Sequence, residues 1–128
     1  MKTLFLTLAA FLLFASNAMC QTTTDSVPTY MQSYLKIKDA LFTDNAENAR
    51  AAATEMKTKM SEAKIADEKI TAEINEALTA IESAASIADQ RKSFSALSQS
   101  LIDLLKKNPI AIPLYIDYCG MAINSNGS

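Results

Sequence analysis

The chain has 128 residues, of which 49% are hydrophobic, with 12 Lys and Arg against 14 Asp and Glu. A net charge of −2 excludes the broad basic surface that nucleic acid or an anionic membrane would need. Histidine, the commonest general base and metal ligand, is absent from the sequence, so we expect a protein that is not an enzyme.

The first 20 residues have the layout of a secretory signal peptide. Lys2 precedes an apolar run over residues 4–15, which is too short to span a bilayer as a helix. Cleavage after Cys20 leaves Gln21 first and predicts a periplasmic or secreted protein with no further membrane-spanning segment. The alternative is a lipoprotein anchored through Cys20, which Met19 fits poorly because a small residue is preferred there.

Residues 21–28 form a polar, Thr-rich stretch that predicts a flexible leader. Residues 29–107 contain neither glycine nor proline and are rich in good helix formers. Breaks in the apolar periodicity near 43–45, 62–67 and 84–88 divide this region into four helices. Four amphipathic helices with short connections pack most simply as an antiparallel four-helix bundle, so the predicted fold class is all-α.

The first two predicted helices have different apolar faces. The first carries a stripe widened by two further apolar residues, Leu35 and Phe42; its members are Tyr30, Tyr34, Ile37 and Leu41. The second presents small and flexible residues that allow close approach to a neighbour: Ala46, Ala49, Ala53, Met56 and Met60. Between them, Asp44 with Glu47 has the spacing of a capping box and predicts the start of the second helix.

The third and fourth predicted helices have stronger stripes. Those of the third are Ile70, Ile74, Ala77, Leu78, Ile81, Ala84 and Ala85; those of the fourth are Phe94, Leu97, Leu101, Leu104 and Leu105. Asp67 and Asp89 stand where a carboxylate can accept hydrogen bonds from free amides at a helix start. Asn108 and Pro109 should end the fourth helix, and residues 108–128 are expected to form an extended tail with a disordered end.

The tail contains the sequence YIDYCGM at residues 115–121. In an extended segment Cys119 and Met121 face the same side, and soft sulfur donors of this kind suit Cu(I). Two donors are too few for a tight site, so a third must come from a partner or from Met31, Met56 or Met60. The alternative is that Cys119 is a small buried apolar residue and Met121 a packing residue.

Met56 and Met60 lie one helical turn apart and are themselves candidate soft-metal ligands, although methionines at this spacing more often fill gaps in a core. The acidic residues, such as Glu73 and Glu76, alternate with Lys in the manner of a solvated helix surface. They predict no catalytic pair.

Three segments resemble one family. These are YLKIKDAL at residues 34–41, QRKSFSALS at 90–98 and the YIDYCGM tail. They are similar to the "YLxLKDAL", "QRxxFxxLS" and "VYxQYCPM" patterns of the bacterial domain of unknown function 3347, common in exported proteins of Bacteroidetes. Gly120 stands where that family usually has proline, and the family usually continues past this point with an aromatic segment and another cysteine.

The resemblance implies a small helical periplasmic domain with no established activity. Relatives are fused to, or encoded beside, efflux adaptors for copper and silver, which implies such an adaptor as a partner. The family's tail cysteine and methionine fall on Cys119 and Met121. The leading hypothesis is therefore a domain that binds a soft metal ion or a metal-efflux component. The alternative is a structural protein–protein interaction module without metal.

Overall fold

The computed structural model describes residues 27–116 and is all-α over that range. Its helices are α1 (Thr29–Phe42), α2 (Ala46–Glu62), α3 (Glu68–Ser83) and α4 (Ile87–Lys107). The connections fall at residues 43–45, 63–67 and 84–86, where the loss of apolar periodicity predicts breaks. Within residues 27–116 there is no β-strand, and the predicted four-helix bundle is confirmed.

Side-chain contacts between helix ends establish that neighbouring helices run antiparallel. Arg50, in the first turns of α2, donates from Nε to Glu82 O at 3.2 Å and from Nη2 to Ala84 O at 2.9 Å, at the end of α3. Lys107, the last residue of α4, pairs with Asp67 at the start of α3 at 2.8 Å. Both pairs join the beginning of one helix to the end of the next, as short connections require.

The core lies between the four apolar stripes. Its fully buried members come from every helix and include Ile37, Met56, Ile74, Leu78, Ile81, Leu97 and Leu104. Burying aliphatic side chains of this size stabilises a fold by about 1.5–3 kcal/mol each. Ala49 and Ala53 are also fully buried, so α2 packs closely against its neighbours as its small residues predict.

Two apolar residues expected in the α1 stripe are not in the core. Leu35 is 44% exposed and Phe42 is 86% exposed. The widened stripe covers more of the circumference of α1 than α2 and α4 bury, because α4 contacts α1 only locally. The predicted stripe itself is in the core, since Tyr30, Ile37 and Leu41 are buried, and Met31 and Ser33 are buried beside it. Ala85 likewise lies beyond the end of α3 and is exposed.

Helix α3 starts as predicted, because Asp67 accepts a hydrogen bond from the Ile70 amide at 3.0 Å. The predicted caps of α2 and α4 are wrong by one and three residues. Asn45, and not Asp44, accepts from the Asn48 amide, because Asp44 adopts a left-handed conformation with φ 55° in the preceding turn. Ser86 caps α4 by accepting from the Asp89 amide, while Asp89 accepts from the Ser86 hydroxyl at 2.6 Å. Asp89 is therefore the second member of a reciprocal cap.

None of the helices in residues 27–116 combines the length and the apolar character needed to cross a membrane.

Candidate functional site: a groove between α1 and α4

The four helices do not close the bundle evenly. Helices adjacent in the chain pack along their lengths, whereas α1 and α4 touch only locally. One contact is at the end of α1, where Arg91 donates to Leu41 O at 2.6 Å and pairs with Asp44 at 2.7 Å. The seam between α1 and α4 is left partly open beyond these contacts.

The second contact lies in the middle of the seam. The rings of Tyr34 and Phe94 stack with their centroids 4.9 Å apart and 20° between their planes. The Tyr34 hydroxyl shares a hydrogen bond of 2.9 Å with Ser98 Oγ. Stacked aromatic pairs stabilise a fold beyond the gain from burying their surface. This pair therefore holds α1 and α4 together in the middle of the seam.

Beside this pair lies a cavity of about 430 Å³, which we call the α1/α4 groove. Its α1 wall is formed by Met31, Tyr34, Leu35 and Lys38, which occupy one face of the helix at intervals of three and four. Its α4 wall includes Phe94, Ser98, Gln99, Leu101, Ile102 and Leu105. The lining is mainly apolar, and Lys38 is its one charged residue among those described. A volume of this size lies within the range of ligand sites, about 300–1,000 Å³.

The start of the carboxyl-terminal tail forms the third side of the groove. Pro109 follows the end of α4, and residues 113–116 continue without helix or strand. Leu114, Tyr115 and Ile116 line the groove, yet they remain 46%, 91% and 63% exposed. The tail therefore reaches the groove without filling it. A second cavity of about 310 Å³ is lined by Leu114 and Ile116 together with Lys106 and Pro109.

All three candidate methionine ligands are buried in the core cluster, and Met31 also lines the α1/α4 groove. Met31 is 6% exposed and lies in the wall of the α1/α4 groove. Met56 and Met60 are 0% and 1% exposed and belong to the core of the bundle. Cys119, Met121 and Cys20 lie outside residues 27–116. Within that range, no three His, Cys, Asp or Glu side chains come close enough to hold a metal ion.

The motif QRKSFSALS is explained by its contacts within the fold. Gln90 is fully buried, and its Nε2 donates to Ala46 O at 3.0 Å and to Ile81 O at 3.2 Å. Arg91, Phe94 and Ser98 make the contacts with α1 described above, and Leu97 is fully buried. These residues hold α4 against the rest of the bundle. The buried Gln90 was not predicted from the sequence, because a polar residue at a helix start resembles an exposed one.

Carboxylates on the bundle surface are held by neighbouring helices. Lys36 and Ser33 on α1 donate to Glu55 on α2, and these hydrogen bonds lower the pKa of Glu55. Burial opposes ionisation of Glu82, but hydrogen bonds from Lys57 and Thr54 outweigh it, so its pKa is also lowered. Each of these shifts is explained by hydrogen bonds that tie α2 to a neighbouring helix.

Comparison with known proteins identifies one similarity. A family model described as "Protein of unknown function (DUF3347)" matches residues 30–111, which cover the four helices except for Thr29. No curated protein and no solved structure matches the chain significantly.

Proposed function

The chain belongs to the DUF3347 family, and from that premise we propose that it is a non-catalytic binding domain of an exported protein, with the α1/α4 groove as its binding surface. The observation that carries the proposal is the mainly apolar lining of this groove, in which Leu35 and residues 114–116 are exposed. Apolar surface that a small domain leaves uncovered commonly marks an interaction site. This is the interaction module that the sequence left as an alternative.

The groove suits an extended apolar segment of a protein. Residues 114–116 line it in a conformation that is neither helix nor strand, which supports a non-helical segment as the ligand. The stacked rings of Tyr34 and Phe94 present apolar surface in the groove, and the positive charge of Lys38 favours an acidic residue in the ligand. Recognition would thus combine side-chain burial with one charge contact.

Peptide display tests this proposal. Random peptides of about twelve residues, selected on the full-length mature chain, should be enriched in aromatic and branched apolar residues with an acidic neighbour. Leu35→Lys should weaken the selected peptides at least about ten-fold, because it places a second charge in the apolar wall. Phe42→Lys is the matched control, since Phe42 is an exposed apolar residue of α1 that does not line the groove. Equal binding by wild type and Leu35→Lys would refute the groove as the site.

A second candidate function is soft-metal binding through Cys119 and Met121. It is supported by the position of Met31, which lies in the same groove as Ile116, three residues before Cys119. A thiolate with two thioethers would provide three soft donors suited to Cu(I). A periplasmic copper or silver efflux adaptor is the partner that the family resemblance suggests for this function.

Competition with a chromophoric Cu(I) chelator tests the metal proposal. Cys119→Ser should abolish stoichiometric binding, and Met121→Leu and Met31→Leu should weaken it while preserving volume. Met56→Leu is the control, because Met56 is enclosed in the core. A lower melting temperature for Cys119→Ser with an unchanged Cu(I) titration would mean that Cys119 is a packing residue.

Export is proposed from the signal-like residues 1–20. Mass spectrometry of the protein recovered from its native host should give Gln21 as the first residue. A diacylglyceryl group on Cys20, with membrane association lost in Cys20→Ser, would instead make the protein a lipoprotein.

A further inference from the structure

The α1/α4 groove has a ligand within reach on its own chain. We infer that residues 117–121 are the resident occupant of the groove, so that the tail acts as a tethered ligand that an external partner must displace. The inference rests on the groove being a binding surface, as proposed above. It goes beyond that proposal by naming what covers the groove before a partner arrives.

The course of the described tail supports this assignment. Leu114 and Ile116 are already at the groove, so the following residues begin at its edge. An extended chain advances about 3.4 Å per residue, so residues 117–121 span roughly 17 Å. At about 1.5 Å per residue, Phe94 to Leu105 extends about 16 Å along the α4 wall, and Met31 to Lys38 extends about 10 Å along the α1 wall. The segment therefore has the length to run along the groove.

The chemistry of the segment also matches the groove. Tyr118 and Met121 provide large apolar side chains for an apolar lining, and Met side chains adapt to irregular surfaces. Asp117 follows Ile116 directly, and Lys38 is the charged residue of the wall. Lys38 is 55% exposed, and its present partner is its sequence neighbour Asp39 at 3.1 Å. A surface pair of this kind is weak and leaves Lys38 available to a second carboxylate.

Disulfide trapping with the native Cys119 tests the inference. In a Cys20→Ser background, Cys119 is the single thiol, and a partner cysteine is introduced by Leu35→Cys on the α1 wall or Gln99→Cys on the α4 wall. A disulfide forms without distortion only when the Cα atoms approach within about 7 Å. Both side chains are exposed, so neither substitution opens a cavity in the core.

Lys106→Cys is the control for disulfides that form only because Cys119 is on the same chain. Lys106 lines the second cavity together with Ile116 but does not line the groove, so it too is near the start of the tail. At a fixed ratio of oxidised to reduced glutathione, the intramolecular disulfide should be at least about ten-fold more populated at both groove positions than at Lys106→Cys. Equal populations at the three positions would overturn the inference. Predominant disulfide-linked dimers would also overturn it, because a second copy would then be the occupant.

A second readout separates this inference from the proposed function. Tyr118→Ser combined with Met121→Ser should raise the affinity of the selected peptides several-fold, because a tethered competitor has been weakened. If peptides bind at the groove but the affinity and the disulfide populations do not change as expected, the tail is not the occupant and the proposed function stands. If Cys119 is trapped at the groove but no peptide binds there, the groove serves the tail alone and the proposed function fails.

Discussion

Gln90 exemplifies how a single residue can join several helices. It is fully buried at the start of α4, and its amide nitrogen reaches carbonyls of both α2 and α3. Its Oε1 is also buried and has no hydrogen-bond partner among residues 27–116. The nitrogen satisfies Ile81 O, which lies in the last turn of α3 where carbonyls have no partner within the helix.

Replacing Gln90 with Met should therefore destabilise the protein. The thioether has a similar length but cannot donate, which leaves a buried carbonyl unsatisfied at a cost of about 1–3 kcal/mol, less any gain from removing the unpartnered Oε1. Urea denaturation followed by circular dichroism measures this. Gln99→Met, at an exposed position of the same helix, should change the free energy of unfolding by less than about 0.5 kcal/mol. An equally stable Gln90→Met variant would contradict the role assigned to the amide.

For the helix caps, the sequence predicted the type of residue better than its position. Polar side chains were expected to cap α2, α3 and α4, and polar side chains do so, but only Asp67 of α3 is the residue predicted. At the start of α2, Asp44 and Asn45 are both good caps. The choice between them depends on the turn, in which Asp44 takes φ 55° and pairs with Arg91. That pair joins residues far apart in sequence, so local reasoning has no access to it.

Among the elements, the helix boundaries follow closely from the apolar periodicity, although residues 29–107 contain no glycine or proline to mark the helix ends. At the end of α2, the absence of glycine lowers the stability of the protein. After the C-cap Ala63, Lys64 adopts φ 48°, a left-handed conformation that usually belongs to glycine. A residue with a Cβ atom is disfavoured there by about 1–2 kcal/mol.

Lys64→Gly should raise the stability of the protein. Glycine removes the steric cost but loses more conformational entropy on folding, so we expect a net gain of about 0.5–1 kcal/mol. Thermal unfolding compares this variant with Lys92→Gly, in which the same substitution falls in the interior of α4 at an exposed position. Lys92→Gly should lose about 1 kcal/mol. A loss of stability in both variants would be inconsistent with the left-handed turn.

The candidate site could not be predicted at the level of elements. Sequence periodicity gave α1 a stripe wide enough to include Leu35, and it assigned that residue to the core. Whether the edge of a stripe is buried depends on how closely the first and last helices of the bundle approach. This approach is set by Arg91, Tyr34 and Phe94 acting across the seam. The excess width of the stripe was the signal for a second apolar face.

Across the whole molecule, each pair of helices adjacent in the chain is tied by one carboxylate with a lowered pKa. Glu55 joins α2 to α1 through Lys36 and Ser33, and Glu82 joins α3 to α2 through Lys57 and Thr54. Asp67 joins α3 to α4: its pKa is lowered by the hydrogen bond from the Ile70 amide and by Lys107. The ordinary values of these groups are 4.5, 4.5 and 3.8.

Acid should therefore destabilise the bundle over a defined range. In the unfolded chain these carboxyls take up protons near their ordinary pKa values, whereas the folded protein holds them ionised to lower pH. Lowering the pH from about 5 to below 4 thus adds protons to the unfolded state first and shifts the equilibrium towards it. The stabilisation is complete above the ordinary values and is lost as the pH falls through the lowered ones. The melting temperature should fall accordingly.

A variant with Glu55→Gln, Asp67→Asn and Glu82→Gln tests the origin of this dependence. It should start from a lower melting temperature at pH 7, and its melting temperature should decline less steeply between about pH 5 and pH 3. Asn at position 67 retains a helix cap, so the change at that site reports the ion pair with Lys107. Glu76→Gln is the control, because Glu76 takes part in no ion pair within residues 27–116, and its acid profile should follow the wild type. If the triple variant kept the wild-type slope, the acid sensitivity would come from other groups.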